Sequence, residues 1–375
     1  MKIVVAPDKF KGSLTGVEFC NIVKKNILAF NPNAEVLELP LADGGDGTIE
    51  VADFYLQGKF VDVTVNNPFF KPVKASYLFS EKSKTAFIEM AEASGIKLLQ
   101  KEELNCMEAT TFGTGELIID ALEKGAKTII LGIGGSATND CGIGMATALG
   151  YQFLDASGDQ VEPIGKNLEN IKYIETSKVH LLLKEVTFKV ACDVTNPLYG
   201  ENGAAYVYAA QKGASKEEIE QLDKGLQHIS KLIKTQFKIN PQDIAGAGAA
   251  GGMGIASKVF LKGELVSGIT LIKDLAKFDE NLSNTDWIIT GEGKLDNQTM
   301  SGKAIQGVLE SSRRHSINVA VFCGSITIDK KELENMRISY ADSVIERTSN
   351  LEDAMQNSAN YLHEITAKFI KEKLR

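Results

Sequence analysis

Short runs of consecutive apolar residues alternate along this chain with stretches in which apolar positions recur every three or four residues, the pattern of buried strands alternating with amphipathic helices. Ile3-Val4-Val5 is such a strand. A helix follows, opened by the capping-box pattern Thr15-Gly16-Val17-Glu18. Its apolar positions Phe19, Cys20, Val23, Ile27 and Phe30 share one side, and Pro32 stops it. Residues 36–39 read as a second strand and 49–56 as a second helix. This alternation builds a parallel sheet with loops gathered at the carboxyl ends of its strands.

From about Phe60 the period changes. Val61-Asp62-Val63-Thr64-Val65 alternates, Asn66-Asn67-Pro68 turns, and apolar runs at 73–79 and 86–90 follow closely, which predicts antiparallel structure and a different domain. A helix near 116–124, strands at 128–131 and 188–192 and a long polar helix at 215–235 restore a mixed texture. The glycine-rich run 246–254 reads as a hinge, a helix approach or a ligand wall. The β-α rhythm resumes with strands at 287–290 and 319–322 and helices at 303–313 and 351–371. The expected fold is α/β: a doubly wound parallel-sheet domain made by both chain ends, 1–66 and 284–375, with a second mixed α/β domain, 67–283, inserted.

Composition narrows the function classes. A hydrophobic share of 43% and a charged share of 24% are ordinary for a globular protein. A net charge of −8 argues against a nucleic-acid or anionic-membrane partner, because no basic face is available to displace counterions. Five cysteines, an odd number with no C-x-x-C pair, speak for a reducing compartment rather than a disulfide framework or zinc site. With no signal-peptide pattern and no apolar run near the roughly 20 residues of a membrane span, the expected location is cytoplasmic.

The chemistry sits in loops after strands. Gly132-Ile133-Gly134-Gly135-Ser136-Ala137-Thr138-Asn139-Asp140 follows a strand with exposed backbone donors, hydroxyls and an amide, a cradle for an anion. Pro7-Asp8-Lys9-Phe10-Lys11-Gly12-Ser13 puts two lysines and a carboxylate ahead of a helix. Asp43 and Asp46 in a glycine-rich turn suit a hard cation that bridges to phosphates. Gly291-Glu292-Gly293-Lys294-Leu295-Asp296-Asn297-Gln298-Thr299 lies at the ligand-facing sheet edge, and Asp193 ends another strand. Plain turns and caps use the same residue types, so each loop alone leaves that reading open. The histidines have no paired ligand spacing and read as surface or packing residues. A competing reading is a nicotinamide-dependent dehydrogenase, since Gly132-x-Gly134-x-x-Ala137 fits a dinucleotide fingerprint and Asp155 ends a possible next strand at 151–154. That reading leaves the Asp43/Asp46, Glu292/Asp296 and Asp8/Lys9/Lys11 groups unexplained, whereas metal-assisted phosphoryl transfer uses them.

Taken together, Ala6 to Leu14, Pro40 to Thr48, Gly132 to Gly144, Cys192 to Leu198 and Thr290 to Thr299, in this order across essentially the whole chain, resemble the bacterial glycerate kinases of the type that usually makes 2-phosphoglycerate. The resemblance implies a flavodoxin-like domain carrying an inserted α/β domain, and transfer of the γ-phosphoryl group of ATP to a hydroxyl of D-glycerate with Mg2+. On that reading, and from loop placement, Asp193 and Lys9 are the expected catalytic residues and Asp43, Asp46 and Asp296 the metal ligands. Asp8, Lys11 and Ser13 would face an anionic group, Gly134, Gly135, Ser136, Thr138, Asn139 and Asp140 would cradle another, and Gly291, Glu292, Gly293, Gln298 and Thr299 would form an opposite wall. ATP and D-glycerate are the expected partners, and a homo-oligomer is left open. Cys141, where the family's pattern has glycine, and Ala210, where it has proline, are the departures.

Overall fold

A computed structural model describes residues 1–10, 12–45, 47–296, 304–348 and 350–374; Lys11, Asp46, Gln298 and Thr299, all expected in the site, lie outside the described residues. Its contacts divide the chain into Met1–Tyr55 with Ser267–Arg375, and Leu56–Val266.

The terminal unit is built on a wholly parallel five-stranded sheet in the order Tyr340–Ser343, Asn318–Cys323, Trp287–Thr290, Lys2–Val5, Glu35–Glu38. Counted along this unit's own strands, the order is 2-1-3-4-5, the flavodoxin-like doubly wound arrangement. The period of two within a strand assigns its faces. In Asn318–Cys323, Ala320 and Phe322 join one core cluster, with Phe19, Val23, Ile27, Ile365 and Phe369, while Val319, Val321 and Cys323 join another, with Ile305 and Leu309. Helices Gly16–Phe30 and Ser358–Lys373 contribute to the first cluster and Ala304–His315 to the second. The first helix starts as its sequence predicts: Thr15 Oγ1 accepts from the Glu18 amide (3.1 Å) and Glu18 Oε2 accepts from the Thr15 amide (2.8 Å).

The inserted unit holds a six-stranded mixed sheet, in the order Glu264–Val266, Thr187–Ala191, Thr128–Gly132, Thr85–Glu89, Pro72–Ser80, Lys59–Asn66. The first four strands run parallel and the last two join antiparallel. Its long helix, Lys216–Phe237, is capped by the Ser215/Glu218 box and buries Leu222, Leu226, Ile229 and Ile233, a stripe at helical spacing.

The boundaries differ from those expected. Strand Lys59–Asn66 pairs along its whole length with Pro72–Ser80 and so falls in the inserted unit. Helix Gly268–Leu275 falls in the terminal unit, where Lys273 Nζ donates to Gly307 O (3.0 Å) and Ser311 Oγ (2.6 Å). The terminal helix is two helices, Leu351–Gln356 and Ser358–Lys373, interrupted at Asn357. The run 246–254 is a packed approach and not an open hinge: Gly251, Gly252, Met253 and Gly254 are buried within helix Ala249–Phe260, which kinks where Ala250, Gly251 and Gly252 take positive φ. A Cβ at Gly254 would lie 1.9 Å from Gly246 O. Among the described residues, no helix is long and apolar enough to cross a membrane.

Candidate active site

In the terminal unit the order of strands reverses between Lys2–Val5 and Trp287–Thr290, and an open α/β sheet binds ligands in the crevice beyond such a point. Past the strand ends, backbone hydrogen bonds go on lacing the loops together. Ala6 N donates to Ile289 O (2.7 Å), Asp8 N to Gly291 O (2.8 Å) and Leu41 N to Pro7 O (2.8 Å). Gly324 N donates to Glu292 O (3.2 Å) and Ser325 N to Gly293 O (3.1 Å). Loops far apart in sequence are thereby fixed side by side.

They surround a cavity of about 760 Å³. One part of its wall is charged, from Asp8, Lys9, Asp43, Glu292, Lys294 and Asp296; another is apolar, from Phe10, Val344, Ile345, Leu351, Ala354 and Met355. Asp8 Oδ1 accepts from the Lys9 amide (2.7 Å), and Asp43 Oδ1 from the Gly45 amide (3.1 Å). The Lys9 ammonium lies over Gly47, where a Cβ would come within 3.2 Å of Nζ; the φ of 81° at that position favours glycine as well. Lys294 pairs with Asp296 (3.1 Å). Ser13 lines the cavity too, and its hydroxyl is within hydrogen-bond distance of Met355 O (3.1 Å) and Ser358 Oγ (2.6 Å), which ties its loop to the C-terminal helices.

Among the described residues, no three histidine, cysteine or acidic side chains converge as a metal cage. Mg2+ does not need one. It is held by one or two carboxylates, with water and substrate phosphates completing six oxygen ligands. The all-oxygen anionic wall of Asp8, Asp43, Glu292 and Asp296 fits that requirement and offers no soft ligand.

Val344 and Ile345, absent from the sequence-based site, reach the cavity because the edge strand Tyr340–Ser343 delivers them. That strand buries Asp342, which accepts from Arg347 Nη1 (2.7 Å) and Nη2 (2.8 Å) and lies 3.3 Å from Lys368 Nζ. Burial works to raise its pKa, but Arg347 and Lys368 outweigh that and hold the carboxyl below the usual carboxylate range. A folded-state value below the unfolded one of about 3.9 means this stabilisation is complete above pH 4 and is lost as the pH falls through the folded value. Arg347→Leu is therefore expected to cost about 2 kcal/mol in urea unfolding at pH 7, with Lys368 still compensating, and less at pH 3. An equal loss at both pH values would contradict the pairing.

In the inserted unit the loops after strands Thr128–Gly132 and Thr187–Ala191 leave the same edge of the parallel strands. Gly134 and Gly135 are exposed at the tip of the first. From Ser136 onward the loop turns inward: Ala137 N donates to Ser94 O (2.9 Å), Cys141 N to Gly251 O (2.9 Å), and Thr138, Asn139 and Asp140 are fully buried. Asp140, expected to contact a ligand, braces the loop from inside: its carboxylate accepts from Thr111 N (2.8 Å), Thr111 Oγ1 (2.7 Å), Gly142 N (3.1 Å) and Gly144 N (3.2 Å). Thr138 Oγ1 and both amide atoms of Asn139 have no hydrogen-bond partner among the described residues. Cys141 adopts φ 52°, a left-handed conformation that accounts for glycine in the family's pattern. Asp193 is exposed, just beyond Cys192, whose amide extends the sheet to Val266 O (2.8 Å).

The dehydrogenase reading loses its structural context. Strand Gln152–Leu154 pairs antiparallel with Tyr173–Glu175, apart from the main sheet, and Asp155 caps its own turn by accepting from Ser157 N (2.8 Å) and Asp159 N (3.0 Å). A ribose-binding carboxylate needs the end of a neighbouring parallel strand.

Residues 3–373 match the sequence profile of the glycerate kinase family. A glycerate kinase of Bacillus cereus is 40% identical over 99% of this chain and 97% of its own. A glycerate 2-kinase of Escherichia coli is 41% identical over 96% of this chain and 94% of its own. A crystal structure described as glycerate kinase 2 from Salmonella typhimurium superposes with a TM-score of 0.89 at 38% identity, covering 100% of both chains.

Proposed function

Since this chain belongs to the glycerate kinase family, we propose that it transfers the γ-phosphoryl group of ATP to the 2-hydroxyl of D-glycerate, in the cytoplasm and with Mg2+. The observation that carries the reading is the cavity at the reversal point of the terminal sheet, where lysines and carboxylates share a wall beside an apolar one. A cavity of this size exceeds the needs of a three-carbon acid and falls in the class that holds nucleotide-sized ligands.

The apolar wall would take the adenine base and the charged wall the phosphates. When bound, Mg2+ would neutralise charge on the β- and γ-phosphate oxygens, with Asp43, Asp46 and Asp296 as its protein ligands. Lys9 and the neighbouring Lys11 would offset the repulsion between triphosphate and acceptor carboxylate, while Asp8 and Ser13 would fix the loop that carries them. Gly291, Glu292, Gly293, Gln298 and Thr299 would form the facing wall, and Gly134, Gly135, Ser136, Thr138 and Asn139 the cradle for a second anion. Asp193 would accept the proton of the attacking hydroxyl as its oxygen bonds to the γ-phosphorus and the bond to ADP breaks.

Purified protein given ATP, Mg2+ and D-glycerate should release ADP only when all three are present, and phosphorus NMR should show 2-phosphoglycerate. The 3-phosphorylated product would refute the regiochemistry, and absence of ADP release would refute the activity.

A further inference from the structure

Lys212 is an ammonium inside the inserted unit, 3% exposed. Its Nζ donates to Ser136 Oγ (2.7 Å) and to Thr138 O (2.7 Å), both neutral oxygens, and among the described residues it forms no ion pair. A buried cation with no carboxylate in direct contact is costly, so a fold that keeps one gains something from its charge elsewhere. Here the charge stands behind a glycine turn whose tip, Gly134 and Gly135, is open to solvent and whose next buried polar atoms, Thr138 Oγ1 and the Asn139 side-chain amide, have no hydrogen-bond partner among the described residues.

We propose that Lys212 is the positive charge of an anion site at the Gly134-Gly135 turn: it positions Ser136 and Thr138 and attracts a phosphate or carboxylate group to the loop. This rests on the assignment of that loop as an anion cradle and names the residue that powers it. Cys106, whose amide donates to Lys212 O (3.1 Å), and Asp140 are the titratable groups that face Lys212, and Glu218 from helix Lys216–Phe237 faces Cys106. Asp140 accepts from the Thr111, Gly142 and Gly144 donors and makes no hydrogen-bonded ion pair with Lys212 among the described residues, so it offsets the ammonium only from a distance. Burial lowers the ammonium's pKa to about 8, against the pull of Cys106 and Asp140. The charge is therefore present at neutral pH and leaves as the pH rises through that value, whereas a bound anion would hold the proton on.

Titration calorimetry with D-glycerate alone and with ATP and Mg2+ alone, from pH 7 to 9.5, tests this and separates the two sources of the anion. For the ligand that sits on the loop, affinity is expected to fall about tenfold or more across the range, with proton uptake near pH 8 that scales with the buffer's ionisation enthalpy. The other ligand should be indifferent to pH. Lys212→Met should bind the first ligand weakly at every pH, and Lys212→Arg, always charged, should keep its affinity at pH 9.5. Wild-type binding of both ligands independent of pH would overturn the proposal, as would a folded Lys212→Met that binds both like wild type. If the methionine variant does not fold, the wild-type and arginine profiles decide. A wild-type protein that binds as described but turns nothing over would refute the kinase reading and leave the Lys212 site standing.

Discussion

Replacing Lys9 with alanine is expected to lower kcat/KM for phosphoryl transfer by about a thousandfold, roughly 4 kcal/mol of transition-state stabilisation, with little change in melting temperature. Its ammonium stands over Gly47 in a cavity whose described carboxylates, Asp8, Asp43, Glu292 and Asp296, outnumber its described lysines. The other of those lysines, Lys294, is paired with Asp296 and more exposed, so it cannot take over. Loss of Lys9 thus removes the charge that offsets crowding anions at the moment of transfer, which should show mainly in kcat. Asp193→Asn, which keeps shape and removes the base, should cut kcat by about a hundredfold or more. Near-wild-type turnover in both folded variants would remove these two assignments.

The largest effect on stability is expected from Gly291→Ala. A Cβ at that position would lie 1.9 Å from Phe322 O and 3.1 Å from Phe19 Cε2. The first of these is backbone of the neighbouring strand and cannot swing aside, so strands Trp287–Thr290 and Asn318–Cys323 would have to part where they hand over to the site loops. A cost on the order of 4 kcal/mol in denaturant unfolding is expected, with activity falling as well because Gly291 O and Glu292 O anchor the Asp8 and Gly324 loops. Gly134→Ala is the control: nothing lies within 4 Å of its Cβ position, and its stability should stay within about 0.5 kcal/mol of wild type. Equal melting of the two variants would contradict the close approach at Gly291.

What could be read from the sequence follows from where local and tertiary signals agree. Around residues 3–30 an apolar run, a capping box and a one-sided helix all point the same way, and the structure has a buried strand and a capped helix there. The cavity loops could be read because each follows a strand in a sheet whose handedness and order bring strand ends together. Strand Tyr340–Ser343 could not: its Asp342 looks like a loop residue, and the cations that make its burial tolerable, Arg347 and Lys368, lie further along the chain. The inward turn from Thr138 to Cys141 depends on another helix approaching closely, with Gly251 against Thr138 and Asn139 and Gly252 against Cys141, contacts without a local signature. Lys212 is the clearest case. Nothing in Gln211-Lys212-Gly213 separates it from a solvated surface lysine, and its role follows only from being enclosed behind a loop distant in sequence.

A crystal structure with Mg2+ and a non-hydrolysable ATP analogue tests the central claim most directly, since that claim locates nucleotide chemistry at the reversal point of the terminal sheet. The triphosphate is predicted in the cavity lined by Lys9, Asp43 and Glu292, with the base on the wall of Phe10, Leu351 and Met355. A nucleotide bound elsewhere on the chain, with this cavity empty, would contradict the account.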